Sequence, residues 1–190
     1  MPLFTESSIR TRAQKETRYF TADSFLTEQI RKQSSITKYD IFLSHAFDDK
    51  ELILGLALAL EDLGYAVYLD WRDDPSLNRN VVTSKTAERL RAKMKVSRCL
   101  LYATTEHASE SRWMPWELGF KDGDNNRVAI LPVTRVYATS YQGQEYLGVY
   151  PYISDDNDIK QKRCLWVNRS PTCYTHFDSW LAGYEPSDRK

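Results

Sequence analysis

Ser109-Glu110-Ser111-Arg112-Trp113-Met114-Pro115-Trp116-Glu117-Leu118 is the stretch whose residue types and spacing come closest to a chemical site. Ser111 can cap a helix, and Pro115 is tolerable only within that helix's first turn, so Glu117 falls early on it. Trp113 precedes Glu117 by four residues, which puts an indole and a carboxylate on one face if the helix begins by Trp113. A carboxylate so placed can meet positive charge that develops in a reaction, and an indole can stack on a flat ring. The same residues equally suit a packed core Trp and a Glu that merely favours a helix amino terminus. Competing chemistries leave no trace. The segment Ser44-His45-Ala46-Phe47-Asp48-Asp49-Lys50 has no Gly to let backbone amides approach a phosphate, and no Walker A or GxGxxG pattern occurs. GxSxG and HExxH are absent too. Cys99, Cys164 and Cys173 form an odd, unclustered set without zinc-ligand spacing, so no metal is expected.

Positioning Glu117 is the task of an alternating pattern that starts at Lys38. Strands are expected at Tyr39–Ser44, Tyr65–Trp71, Arg98–Ala103, Arg127–Val136 (interrupted only by Pro132) and Cys164–Asn168. Between them the pattern predicts helices at Glu51–Leu63, ended by a left-handed Gly64, at 81–95 and at Arg112–Lys121; a closing helix covers Phe177–Leu181. Asp48 and Asp49 read as caps of the first helix, and residues 72–80 as a polar loop. Strands separated by helices give right-handed crossovers and a parallel sheet covered on both faces. Ligands bind such sheets outside the carboxyl ends of the strands. That edge carries Ser44, His45 and Phe47 after the first strand, Trp71 and Arg72 after the second, and Thr104 and Thr105 after the third. His45 suits a substrate hydrogen bond or a satisfied structural role equally.

The composition changes once, near Lys38, and divides the chain into a polar 1–37 and an α/β domain over 38–190 with a helical tail. One or two helices are expected in 1–37, with Phe25, Leu26, Gln29 and Ile30 on one face and Thr21 or Asp23 as cap. Leu52–Leu60 is apolar around its whole circumference, so either residues 1–37 or another copy of the chain must cover its second face. Charges balance at 26 Lys+Arg against 26 Asp+Glu, which argues against nucleic acid or anionic lipid as a partner. No run is long enough to cross a membrane, and no signal pattern opens the chain. A reducing cytoplasm is the expected location.

Three motifs in order, KYDIFLSHAFDDKE, LGYAVYLDWRDD and SRWMPWELG, make residues 38–168 resemble a Toll/interleukin-1 receptor (TIR) domain. The resemblance implies a flavodoxin-like, five-stranded parallel sheet with helices on both faces. It implies one of two activities: cleavage of the nicotinamide–ribose bond of NAD+, or assembly with other TIR domains as a non-enzymatic adaptor. Glu117 matches the glutamate that the enzymatic members carry and adaptors generally lack. Breaking this bond expels a neutral pyridine and leaves an oxocarbenium-like ribose, so one carboxylate suffices and no cofactor is needed beyond NAD+ as substrate. Trp113 would stack on nicotinamide, Phe47 would wall the pocket, Ser44 and His45 would border it, and Trp71 with its loop would close over it or make TIR–TIR contacts. A stand-alone TIR chain also resembles those of bacterial Thoeris anti-phage systems. That likeness implies a linear, cyclic or conjugated ADP-ribose signal, self-association, a phage-derived trigger and a separate effector that senses the product. A nucleoside deoxyribosyltransferase-like enzyme shares the sheet and a glutamate, but fits SHAFDDK and LDWRDD less well.

Overall fold

In β2 (Tyr39–Ser44) every side chain but Asp40 is buried, which requires helices above and below the strand and a neighbour on each side. The computed structural model, which describes residues 1–17, 38–75, 83–143 and 145–189, supplies both. β2 pairs in parallel with β3 (Val67–Tyr68) on one side and β4 (Ser97–Thr104) on the other. β4 pairs in parallel with β5 (Val128–Thr134), and β5 with β6 (Tyr152–Asn157). The spatial order β3-β2-β4-β5-β6 reverses between β2 and β4, the doubly wound arrangement with its ligand edge at that switch point.

The sheet is larger than the five strands expected, continuing antiparallel through β7 (Arg163–Asn168), β8 (Cys173–His176) and β9 (Ser187–Asp188). The segment expected as the last parallel strand is thus the antiparallel β7. The fifth parallel strand is β6, whose polar end, Asp155, Asp156 and Asn157, hides it from a search for apolar runs. Pro132 stays inside β5, paired with Thr104.

The amino terminus is built into this sheet. β1 (Phe4–Thr5) pairs in parallel with the end of β5, and the Asp155 amide of β6 donates to the Pro2 carbonyl at 2.9 Å, so residues 2–5 lie where β5 and β6 part. α1 (Glu6–Thr17) then packs on α2 (Lys50–Glu61). A Cβ on Gly55 would stand 2.2 Å from the Ile9 carbonyl oxygen, so only glycine admits this approach. Every residue from Leu52 to Leu60 is buried. α1 is therefore a cover of the all-round apolar helix, and each Leu or Ile enclosed there contributes roughly 1.5–3 kcal/mol. The helix expected around Phe25–Ile30 lies outside the described residues.

Two cores result. Ile9, Ile53, Leu56, Leu60, Leu101 and Trp180 fill the face under α1, α2 and α6 (Phe177–Leu181). Phe42, Leu90, Leu100, Tyr102, Met114 and Leu118 fill the other, under α4 (Ser84–Lys95) and α5 (Trp113–Asn125). α4 begins where the Thr83 side chain accepts from the Thr86 amide at 3.1 Å, and the turn that follows α2 closes at a left-handed Gly64.

Two local expectations are corrected. The polar loop after the second strand opens as α3 (Asp70–Asp73), because Arg72 is fully buried and needs acceptors: it reaches Glu61 and Asp73 at 2.8 Å each and the Val67 carbonyl at 2.7 Å. Asp49 stands at the start of α2 but caps nothing through its side chain. Its carboxylate accepts from Thr105 at 2.5 Å and meets His107 Nδ1 at 2.8 Å, tying the loop after β2 to the loop after β4.

Candidate functional site

Ser44 ends β2 and Tyr102 lies beside it in the parallel register of β4, so both side chains emerge on the face that α5 covers. α5 starts at Trp113, with the Ser111 hydroxyl accepting from the Met114 amide at 3.3 Å, and Pro115 falls in its first turn as expected. Its buried side is Met114, Glu117, Leu118 and Lys121, the spacing of one helical face. Packing that face on β2 and β4 lowers Glu117 onto Ser44: the Ser44 hydroxyl donates to Glu117 Oε2 at 2.6 Å, and neither residue keeps any accessible surface. A hydrogen bond this short to a carboxylate removed from water is of the charge-assisted kind.

The other expected site residues separate into those beside this pair and those apart from it. Trp113 is half-buried one turn before Glu117, edge-on to Trp116 at 5.4 Å. His45 follows Ser44 and is 1% exposed; its Nδ1 donates to the Leu43 carbonyl at 2.9 Å and its Nε2 lies 3.2 Å from Asp70 Oδ1, bracing the end of β2 against α3. Phe47 is 42% exposed at the sheet edge, with the Lys50 ammonium 4.0 Å from its ring centre. Trp71 packs on Leu54 and Leu58 of α2, against the core of the opposite face, and is not brought to Glu117.

Three features escaped sequence reasoning. Lys121, one turn beyond Glu117, is fully buried and donates to the carbonyls of Met94 and Ser97 at 2.8 Å each and to Asp124 at 3.0 Å, holding α5 against the end of α4 and the start of β4. The Asp49–His107 pair raises the His107 pKa, through the hydrogen bond first and the carboxylate's charge second. A cleft of about 480 Å³ opens beside Tyr102, walled by Thr105 and Ser109 after β4 and by Tyr141 and Tyr146 of the segment joining β5 to β6. Burial pushes the Tyr102 pKa up, and Tyr146, Tyr141 and Glu117 push the same way; Tyr102 also stands beside Ser44, the partner of Glu117, in the strand register. Its signal in the sequence is a dense run of tyrosines, Tyr137, Tyr141, Tyr146, Tyr150 and Tyr152, interleaved with Gly143 and Gly148. A smaller cavity of about 220 Å³ lies at the other sheet edge, by Asn126 and Val128. Among the described residues no group of three His, Cys, Asp or Glu is placed to hold a metal, and no helix is long and apolar enough to cross a membrane.

A buried carboxylate oriented by a hydroxyl, one helical turn from an indole, can stabilise a cation forming on a sugar. Comparisons with known proteins agree with this chemistry. The chain is 42% identical, over 95% of its length and 98% of the relative's, to a protein of Bacillus cereus (strain MSX-D12) named "Probable 3' cyclic ADP-D-ribose synthase ThsB'". It is 30% identical, over 43% of its length and 22% of the relative's, to "Putative cyclic ADP-D-ribose synthase TIR2" of Cytobacillus dafuensis. The TIR domain family matches residues 41–163, which hold most of β2, the switch point, Ser44 and Glu117; with the doubly wound sheet and the relative that covers 95% of it, this chain belongs to the TIR-domain family.

Proposed function

We propose that the protein cleaves the nicotinamide–ribose bond of NAD+ and closes the remaining ADP-ribose into a cyclic product, with Glu117 as the catalytic carboxylate. The observation that carries this reading is the buried Ser44–Glu117 hydrogen bond of 2.6 Å at the ligand edge of the sheet. As the C–N bond lengthens, its electron pair leaves with neutral nicotinamide and the ribose becomes oxocarbenium-like; the Glu117 carboxylate, held in one orientation by Ser44, meets that charge. Trp113, one turn away, supplies a flat wall for the departing ring. Glu117 has no accessible surface, so its cover must move before substrate enters, which suits an enzyme that waits for a trigger. An adaptor gains nothing from burying a carboxylate at this edge, since an ion out of water costs several kcal/mol before any partner compensates.

The name of the relative matched end to end supports a 3'-linked cyclic product. In this reading the product is a signal in anti-phage defence, sensed by a separate effector, and the protein works in the cytoplasm in response to a phage-derived trigger. Self-association through TIR contacts belongs to the same reading, but the apolar face of α2 is no candidate surface, because α1 covers it. Glu117→Gln keeps the shape and removes the charge. Nicotinamide release from NAD+ is expected to fall by at least about 10²–10³-fold, with an unchanged circular dichroism spectrum. Turnover equal to wild type in that variant removes Glu117 from the mechanism.

A further inference from the structure

Residues 137–143 and 145–150, between β5 and β6, fold into a defined wall. A Cβ on Gly143 would lie 2.7 Å from the Gly148 amide, and one on Gly148 would lie 2.9 Å from the Gly143 carbonyl oxygen, so the segment doubles back where only glycines fit. Its exit is tied to α5 by the Tyr150 hydroxyl, which donates to Asp122 Oδ2 at 3.0 Å. Its entry is tied to the sheet by Tyr141, whose ring packs 6.0 Å from that of Tyr152. Tyr146, still 44% exposed, lines the cleft together with Tyr102, the residue that stands beside Ser44 in the register.

We propose that the cleft between Tyr102, Tyr141 and Tyr146 holds the adenosine half of the dinucleotide, folding NAD+ so that an adenosine ribose hydroxyl faces the anomeric carbon at Glu117. This rests on the NAD+ reading above. Three observations carry it. The cleft is lined by Tyr102, which stands beside Ser44, the partner of Glu117, in the register of β2 and β4. Its volume of about 480 Å³ falls in the range of small-molecule sites, about 300–1,000 Å³. Its described lining is aromatic rings with Thr105, Ser109, Gln142 and the acidic Glu145, and among the described residues it contains no Lys or Arg, which suits a purine nucleoside and not a free phosphate. With the adenosine held there, the departing C–N bond leaves its electron pair on nicotinamide, a new C–O bond forms from the adenosine ribose hydroxyl, and the hydroxyl proton passes to solvent water. Without it, water attacks instead and the product is linear. Cyclisation over hydrolysis is then a matter of proximity, the effective concentration of one hydroxyl against that of water.

The test uses the full chain with Tyr146→Ala, an exposed position, and Tyr146→Phe, which keeps the ring. Mass spectrometry of NAD+ products gives the cyclic-to-linear ratio, and nicotinamide release is followed from NAD+ and from nicotinamide mononucleotide, which has no adenosine half. Titration calorimetry with AMP reads the subsite without turnover. Tyr146→Ala is expected to lower AMP affinity and kcat/KM for NAD+ by about tenfold, the scale of one lost ring–base contact. The cyclic fraction is expected to drop, cleavage of the mononucleotide to fall much less, and Tyr146→Phe to restore the wild-type ratio. If Tyr146→Ala leaves AMP binding and the product ratio at wild-type values, the proposal is overturned. A wild-type protein that binds AMP through Tyr146 but releases no nicotinamide upholds the subsite and refutes the catalytic reading.

Discussion

Ser44→Ala removes one oxygen and tests whether the orientation of Glu117 matters. In the structure the Ser44 hydroxyl lies 2.6 Å from Glu117 Oε2 and both side chains are sealed from solvent, so water cannot replace the lost donor without a rearrangement. A hydrogen bond to a charged group contributes about 1.5–3 kcal/mol, and a buried acceptor left unsatisfied costs a similar amount. If the bond holds Glu117 in its reactive orientation, the same energy appears in the barrier, and 1.36 kcal/mol corresponds to about tenfold in rate. We therefore expect kcat for nicotinamide release to fall by about 10- to 100-fold, with KM for NAD+ changing far less. Melting should drop by roughly 3–12 °C, at about 2–4 °C per kcal/mol for a chain of this size. The assay is steady-state nicotinamide release at saturating NAD+, paired with thermal melts of the same samples. Combining Ser44→Ala with Glu117→Gln should give much less than the sum of the two losses, since both remove one interaction. A folded Ser44→Ala protein whose kcat lies within twofold of wild type refutes the argument.

Trp113→Ala should reduce kcat/KM by about 2- to 10-fold, the worth of one aromatic stack beyond its burial; a loss explained entirely by lowered melting temperature would assign the indole to packing. Gly55→Ala reverses the usual helix expectation. Propensity alone predicts a gain of about 0.5–1 kcal/mol, but the 2.2 Å approach to the Ile9 carbonyl predicts that α1 is pushed off, costing about 1–3 kcal/mol; an unchanged or higher melting temperature would contradict the fit of α1 on α2. His107 makes a pH-dependent link. Its pKa is raised by the hydrogen bond to Asp49 and then by that carboxylate's charge, so its stabilising contribution is fully present below its unfolded value near 6.5 and is lost as pH rises through the higher folded value. In Asp49→Asn the His107 NMR titration should move down; a titration that does not move excludes the pair.

Much of the site was legible because its determinants are local. Ser111, Pro115 and the four-residue step from Trp113 to Glu117 are properties of one helix start, and they set the same face wherever that helix packs. Strands β2, β4 and β5 were equally plain, since burial on both faces leaves a continuous apolar run in the chain. The same logic explains the failures. β6 ends in Asp155-Asp156-Asn157 and takes its place by pairing with β5 and β7, so its identity lies in partners distant in sequence. Asp49 looked like a cap because a cap needs only its neighbours, whereas its actual partners, Thr105 and His107, come from another loop.

The amino-acid sequence by itself determined that a carboxylate would stand early on a helix at the ligand edge of a parallel α/β sheet, because helix starts and buried strands are written in adjacent residues. Only the tertiary structure decided that this carboxylate would meet Ser44, seventy-three positions away, and that Tyr102, the neighbour of Ser44 in the register, would wall one cleft with Tyr141 and Tyr146. It also decided that α1 would close over α2 at Gly55, and that Trp71 would pack on the opposite core. Each of these is a contact between segments whose separation along the chain carries no record of their distance in space; strand order and helix packing set it, and those are fixed by the burial of the whole core at once.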